Sequence, residues 1–413
     1  MTAPAARGAR APLKSLDDAL ADLLAFAEPL TGAEQVATFD ADGRVLANAL
    51  VSALQVPPHD NSSMDGYALR QADLEAGLAL PVSQRIAAGS SGSPLAPMSV
   101  ARIFTGAPVP LGADSVVPQE DVTLSEDGAV RVQAPVRCGQ WIRRAGEDIT
   151  QGAVILQKGE RLTPAALGLA ASIGLGQLTV ARRPRVALFS TGDELVMPGE
   201  VPPHAMPPGA IYNSNRFFLR ALLMRLGCQV SDLGIVPDQR EATLLALQDA
   251  AQGHDLILTS GGVSVGEEDH IKPAVQALGH LDLWQIAMKP GKPFAYGRVG
   301  AAHFMGLPGN PVSSFVTFLL LVRPFLLKLQ GSNRCTTASV AARAGFSWPK
   351  GDKRREFLRV RQDPDGSLAL FTNQSSGVLT SAVWGTGLVD IAPGQTITPG
   401  DVVRYTSFAE LLS

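Results

Sequence analysis

Residues 255–272 read DLILTSGGVSVGEEDHIK, and the fold is read outward from them. An apolar strand over 255–259 runs into Gly261 and Gly262. A small-residue loop follows, then the acids Glu267, Glu268 and Asp269, then a helix start. Strand, glycine-rich turn and helix N-terminus together make an anion site, because backbone N–H groups approach the ligand closely and the helix dipole favours negative charge. The acids would repel a phosphate unless a divalent cation lay between them. The loop therefore predicts a phosphorylated ligand together with Mg²⁺.

The flanking sequence alternates. Upstream lie strand RVALFS, the TGDEL turn, helix SNRFFLRALLMRLG closing on Gly227 as its C′ glycine, strand CQVSDLGIV and helix REATLLALQDAAQG. Downstream lie helix IKPAVQALG, the strands LWQIAM, PFAYG and AHFMGL, and helix VSSFVTFLLLVRPFLLKL. Such alternation predicts a central, doubly wound, mostly parallel α/β domain over 182–330, covered on both faces. Ligands in such sheets bind beyond the carboxyl ends of the strands. The loops 191–195, 261–269 and 308–311 are expected to share that edge.

Residues 15–50 read as helical and extended, with Ser15 and Asp18 resembling a capping box. From 51 to 144 short strands are broken by Pro and Gly, which predicts a β-rich module. Residues 161–181 carry a Pro in a first helical turn and then a short strand. Grouping 145–181 with 15–50 makes the β-rich module an insertion. Residues 331–410 return to β texture, as a small barrel or sandwich, and 1–14 read as a disordered tail.

The 413 residues are enough for about two to four domains. With 46% hydrophobic and 18% charged residues and a net charge of −3, nothing calls for a nucleic-acid or membrane partner. Cys138, Cys228 and Cys335 stand far apart with no CxxC, against a disulfide framework or a zinc site and in keeping with a reducing cytoplasm. The first residues lack the apolar stretch of a secretory signal. The segment 315–327, interrupted by Thr317, Arg323 and Pro324, reads as too short and too polar to span a bilayer.

GVSVG (262–266) fits the G-x-S-x-G pattern, with Ser264 as a hydrolase nucleophile. In an elbow the serine follows its strand at once; here glycines intervene and the acids would oppose an oxyanion. Ser190, Thr191 and Gly192 precede Asp193 and Glu194, which either orient a metal or ligand hydroxyl or cap a helix. Lys289 and Lys292 flank a Pro-Gly turn, a stiff setting for phosphate-binding lysines, without P-loop spacing. Pro308 and Asn310 form a turn before the long apolar helix, with Ser313 and Ser314 near its N-terminus, again an anion position or else a well-capped core helix. SIGLGQL lacks the third glycine of a dinucleotide fingerprint.

NSSMDGYAL, FTGAPVP, RRAGEDI, STGDEL, TSGGVSVGEEDHIK, MKPGKPFAYG and GLPGNPVSS, followed by REFLRV and NQSSGVLTS, occur in one order over nearly the whole chain. As a set they resemble the molybdopterin molybdenumtransferase family of the bacterial MoeA type, to which the gephyrin E domain is similar. The resemblance implies four parts: helical and extended domain I (15–50 and 145–181), β-rich domain II (51–144), α/β domain III (182–330) and β-barrel domain IV (331–410). It implies a cytoplasmic homodimer with its site between domain III of one chain and domains II and IV of the other. The implied reaction is Mg²⁺-assisted insertion of molybdate into adenylylated molybdopterin with release of AMP. The molybdopterin adenylyltransferase and molybdoenzyme chaperones are further candidate partners.

Residues matching family positions tied to activity or binding are Asp65, Thr105, Arg143, Asp148, Glu194, Asp238, Asp269, Lys289, Arg359 and Ser376. On this resemblance Glu194 and Asp269, with Asp65 and Asp148, handle Mg²⁺ and the attacked phosphate. Lys289, Lys292 and the Gly261–Gly262 amides hold pterin phosphates. Arg359, Ser376 and Arg143 hold molybdate or face the ligand from the partner chain. Ser190, Thr191, Gly192, Ser264, Pro308, Asn310 and Ser313 complete the candidate binding set. Gln285 stands where many relatives have Lys. An adenylyltransferase for molybdopterin and a scaffold or binding protein of the same fold are the alternative readings.

Overall fold

The computed structural model describes residues 13–74, 78–262 and 270–412. Ser264, Glu267, Glu268 and Asp269 therefore lie outside the described residues, as does most of the expected tail.

A six-stranded sheet runs in the order Gln229–Val236, Arg185–Thr191, Leu256–Ser260, Ala302–Leu307, Pro293–Val299, Gly279–Gln285. The first four strands are parallel; the last two join antiparallel. Alternate residues feed opposite faces, as a strand's period of two requires. Val186, Leu188, Leu256 and Leu258 enter one core, while Ala187, Phe189 and Ile257 enter the other. All five residues of Leu256–Ser260 are buried, as in a strand covered on both faces, and its apolar run Leu256–Leu258 shows no alternation.

The first core extends past the sheet. Helix Leu16–Phe26 starts on Ser15, whose Oγ accepts the Asp18 N–H at 3.0 Å, and buries Leu16, Ala19 and Leu23 in it. Each such buried Leu contributes about 1.5–3 kcal/mol. The same core takes Val312, Phe318, Phe325 and Leu329 from the long helix, and Phe357, Leu388, Phe408 and Leu411 from the C-terminal region.

That long helix differs from expectation. Pro311–Thr317, a π-helical stretch Phe318–Val322 and Arg323–Leu329 form one 19-residue helix, long and apolar enough by composition to cross a bilayer. Pro324 does not end it, because the missing N–H falls in the first turn after the π stretch. The helix is a core element here, with 83% of its apolar window buried. Arg323 is buried with it, donating to Thr337 Oγ1 and the Glu410 carbonyl.

Between Phe26 and the β-rich module the chain is extended. Ala33–Ala37 pairs antiparallel with Gln177–Ala181, and Leu50–Val51 with Val154–Leu156. The module contains a four-stranded sheet in the order Val82–Ile86, Val100–Ile103, Gly66–Leu69, Ser115–Pro118. Gly66 is required there: a Cβ would stand 1.9 Å from the Val117 carbonyl oxygen.

The C-terminal strands Arg355–Gln362, Ser367–Leu370, Val340–Ala344, Val402–Ser407 and Gly387–Ile391 close on themselves, giving a five-stranded barrel. Met288–Lys289 pairs with Arg355–Glu356 and so adds a strand from the α/β region to the barrel sheet. Arg355 clamps Asp390 with two bonds, 2.6 and 2.7 Å, and reaches Asp17 on the first helix at 2.8 Å.

Candidate active site

Strands Arg185–Thr191, Leu256–Ser260 and Ala302–Leu307 are adjacent and parallel, so the turns leaving them emerge at one edge. Those turns wall a cavity of about 560 Å³. Of the residues anticipated from sequence, Thr191, Gly192, Glu194, Asp238, Gly261, Gly262, Pro308, Asn310 and Ser313 line it. The turns are close-packed. Gly261, at φ +95°, leaves no room for a side chain: a Cβ would lie 2.8 Å from the Thr191 carbonyl oxygen. Its N–H donates to the Leu307 carbonyl at 3.1 Å, joining the turns.

Glu194 folds back over Gly192, where a Cβ would meet its Oε2 at 2.5 Å. No helix starts at Asp193: residues 192–195 turn into the short strand Leu195–Val196, so the helix-capping alternative for Asp193 and Glu194 is excluded. Ser190 is buried next to Thr191 of the cavity lining, its hydroxyl without a partner among the described residues.

The remaining anticipated residues fall elsewhere. Lys289 Nζ lies 2.9 Å from Glu356 Oε1, as an ion pair off the line of a hydrogen bond, and 3.7 Å from Asp352. Neither Lys289 nor Lys292 lines the cavity. The Asp352 carboxyl is held well below the usual carboxylate range, chiefly by the Arg354 hydrogen bond. Arg359 is 1% exposed. It donates to Ser381 Oγ and to the Ser375 and Phe357 carbonyls, and among the described residues no carboxylate pairs with it. Burial brings its guanidinium down to about 10. The neighbouring Ser376 carbonyl accepts the Val312 N–H at 2.9 Å, which seats this barrel loop against the helix end that contributes Pro311 and Ser313 to the cavity.

Asp65, Thr105 and Arg143 belong to the β-rich module and Asp148 to the segment just after it, and none lines the cavity of its own chain. Asp65 Oδ1 accepts both the backbone N–H (2.7 Å) and the hydroxyl (2.8 Å) of Thr105. Those bonds, the backbone one first, hold its carboxyl below its ordinary value. Arg143 is exposed, on a strand paired with Asn61–Ser62.

Sequence reasoning missed Ile211, Tyr212, Asn213, Ser214, Asn215 and Pro293, which also line the cavity. The available signal was Asn-Ser-Asn at 213–215, two amides flanking the first residue of helix Ser214–Arg225. Asn213 caps that helix, accepting the Arg216 N–H at 3.3 Å. Among the described residues no three carboxylate, imidazole or thiol groups converge as a metal site. Glu194 and Asp238 nevertheless bring hard oxygen donors to the cavity, a set that fits Mg²⁺, which uses one or two carboxylates and keeps several waters.

Residues 14–174 match the MoeA N-terminal region (domain I and II), 187–328 a probable molybdopterin binding domain, and 341–408 the MoeA C-terminal region (domain IV). A molybdopterin molybdenumtransferase from Haemophilus influenzae is 44% identical over 324 residues, 78% of each chain. The chain belongs to the molybdopterin molybdenumtransferase family. The Synechococcus elongatus molybdopterin molybdenumtransferase is 39% identical over 373 residues, covering 88% of this chain and 91% of its own. A crystal structure of the Pyrococcus horikoshii molybdopterin biosynthesis MoeA protein superimposes with a TM-score of 0.84 at 27% identity, over 96% of this chain and 100% of that one. Membership makes this molybdenumtransferase an enzyme of molybdenum cofactor biosynthesis that inserts molybdenum.

Proposed function

We propose that the cavity at the strand ends receives adenylylated molybdopterin, and that the enzyme inserts molybdate into its dithiolene with release of AMP. The observation that carries this reading is the convergence of Thr191, Glu194, Gly261, Gly262, Asn310 and Ser313 on one cavity from three separate turns. Small hydroxyls and turn amides other than that of Gly261, whose N–H is taken by the Leu307 carbonyl, suit a pyrophosphate. Lys292 precedes Pro293 of the cavity lining and would supply compensating charge, Lys289 would have to exchange its Glu356 partner for the ligand, and the buried Arg359 beside Ser376 would act on an oxyanion through its field from the barrel side.

Glu194 and Asp269, with Asp238, would hold Mg²⁺, which when bound neutralises charge on the pyrophosphate. The chain's own groups position the rest: the glycine turns fix the phosphates. Asp65, Thr105, Arg143 and Asp148 are absent from the cavity of their own chain, which favours a homodimer in which the β-rich module faces the partner's cavity. The same lining, joined to the β-rich module and the barrel, favours insertion over adenylylation. The division into domains at 51, 145, 182 and 331 is part of this reading.

The test supplies adenylylated molybdopterin and Mg²⁺ and measures AMP release with and without molybdate. Molybdate-dependent release is expected, falling by roughly tenfold or more in Glu194→Gln with its melting temperature unchanged. Release independent of molybdate, or full turnover in Glu194→Gln, rejects the reading.

A further inference from the structure

Asn215 sits in the first turn of helix Ser214–Arg225 and is 8% exposed. Its Nδ2 donates to Ser260 Oγ at 2.8 Å and to the Gly309 carbonyl at 2.7 Å. Ser260 ends strand Leu256–Ser260, and Gly309 lies just past its parallel neighbour Ala302–Leu307, so one amide braces the starts of both turns from a third element. Ser260 Oγ in turn reaches the Pro308 carbonyl at 3.4 Å, a weak contact that continues the brace. Among the described residues the amide's Oδ1 is buried without a donor. A side chain kept only for packing would not carry an unsatisfied acceptor into the interior. At the base of these turns the Gly261 N–H also donates to the Leu307 carbonyl.

We propose that Asn215 is a positioning residue for the transfer reaction: its two N–H groups fix the 260–262 and 308–310 turns relative to one another, so that their backbone groups meet the ligand as one preformed surface. The inference rests on the functional reading above for what the ligand is, but not for the brace itself. Preformed geometry matters because small misplacements of ligand-facing groups cost large factors in binding and rate.

The experiment uses the full chain and Asn215→Ala, Asn215→Asp and Ser260→Ala. Asn215→Asp keeps the shape and Oδ1 but has no N–H to donate; Ser260→Ala removes one acceptor without touching Asn215. Amide hydrogen exchange is followed in ligand-free protein, with strand Arg185–Thr191 as the folded reference, and molybdopterin binding is measured under anoxic conditions. The expected result is faster exchange at both turns in the two Asn215 variants, with the reference strand unchanged and molybdopterin bound at least tenfold more weakly. Ser260→Ala loosens 260–262 and serves if Asn215→Ala fails to fold. Wild-type exchange in Asn215→Asp overturns the proposal, as does wild-type affinity in a variant whose turns exchange faster. If the wild-type enzyme does not bind molybdopterin, the functional reading fails, and exchange alone decides the brace.

Discussion

Replacing Gly261 by alanine probes the closest packing at the cavity floor. At φ +95° a residue with a Cβ is strained by about 1–2 kcal/mol. The new methyl would also stand 2.8 Å from the Thr191 carbonyl oxygen. That oxygen cannot retreat freely, because Thr191 is paired with Val236 in the sheet. The glycine cannot retreat either while its N–H holds the Leu307 carbonyl. Overpacking of this kind adds about 1–3 kcal/mol, for a total of about 2–5 kcal/mol. At roughly 2–4 °C per kcal/mol for a unit of this size, the melting temperature should fall by roughly 4–20 °C. The assay is thermal unfolding beside Gly253→Ala, where a new methyl meets nothing within 4 Å and a helix-terminal backbone accepts alanine. That control should melt at or slightly above the wild-type temperature. A Gly261→Ala protein melting within about 2 °C of wild type would refute the packing argument.

Burial brings His303 from its ordinary 6.5 down to about 4. The fold thus keeps the imidazole neutral while the unfolded chain takes up a proton first. The stability so gained is fully present above pH 6.5 and is lost as pH falls towards 4. His303→Phe, which keeps a ring against Phe325 (4.9 Å in the wild type), should remove this part of the acid sensitivity. Melting curves at about pH 7.5 and about pH 5 that shift equally in both proteins would contradict it. At the barrel, Asp390→Asn breaks a two-bond pair whose carboxylate is 8% exposed and should cost about 2–4 kcal/mol. Asp17→Asn breaks a contact to the same Arg355 from a carboxylate that is 82% exposed and should cost under about 1 kcal/mol. Equal shifts in urea midpoint would show that burial does not separate the two.

Much of the α/β region was legible because its signals are local. Helix Arg240–Gly253 and strand Leu256–Ser260 announce themselves by period and by runs of apolar residues, and parallel topology then places their loops at one edge. What depends on distant partners was not legible. Nothing near Lys289 in sequence says that Glu356 will pair with it, or that its strand will join the barrel. Pro324 reads as a helix breaker unless the π stretch before it is known. Asp193 and Glu194 fit a helix cap equally well until the turn is seen to enter a strand. Asn215 was hidden because asparagine near a helix start is ordinary; its separate acceptors appear only when two strands are laid side by side.

The long helix has a consequence for the order in which the chain is made. Its cover includes Phe357, Leu388, Phe408 and Leu411, and Phe315 stacks edge-on against Phe408. A ribosome finishes Leu329 about 80 residues before it reaches Leu411, which at about 5–20 residues per second is roughly 4–16 s. During that interval the nascent chain displays a segment apolar enough to be mistaken for a membrane span, with part of its shelter not yet synthesised. Slow translation or a premature stop in the last 80 or so residues should therefore send this chain to chaperones or to the membrane-targeting machinery, although every residue of the cavity itself has already been made.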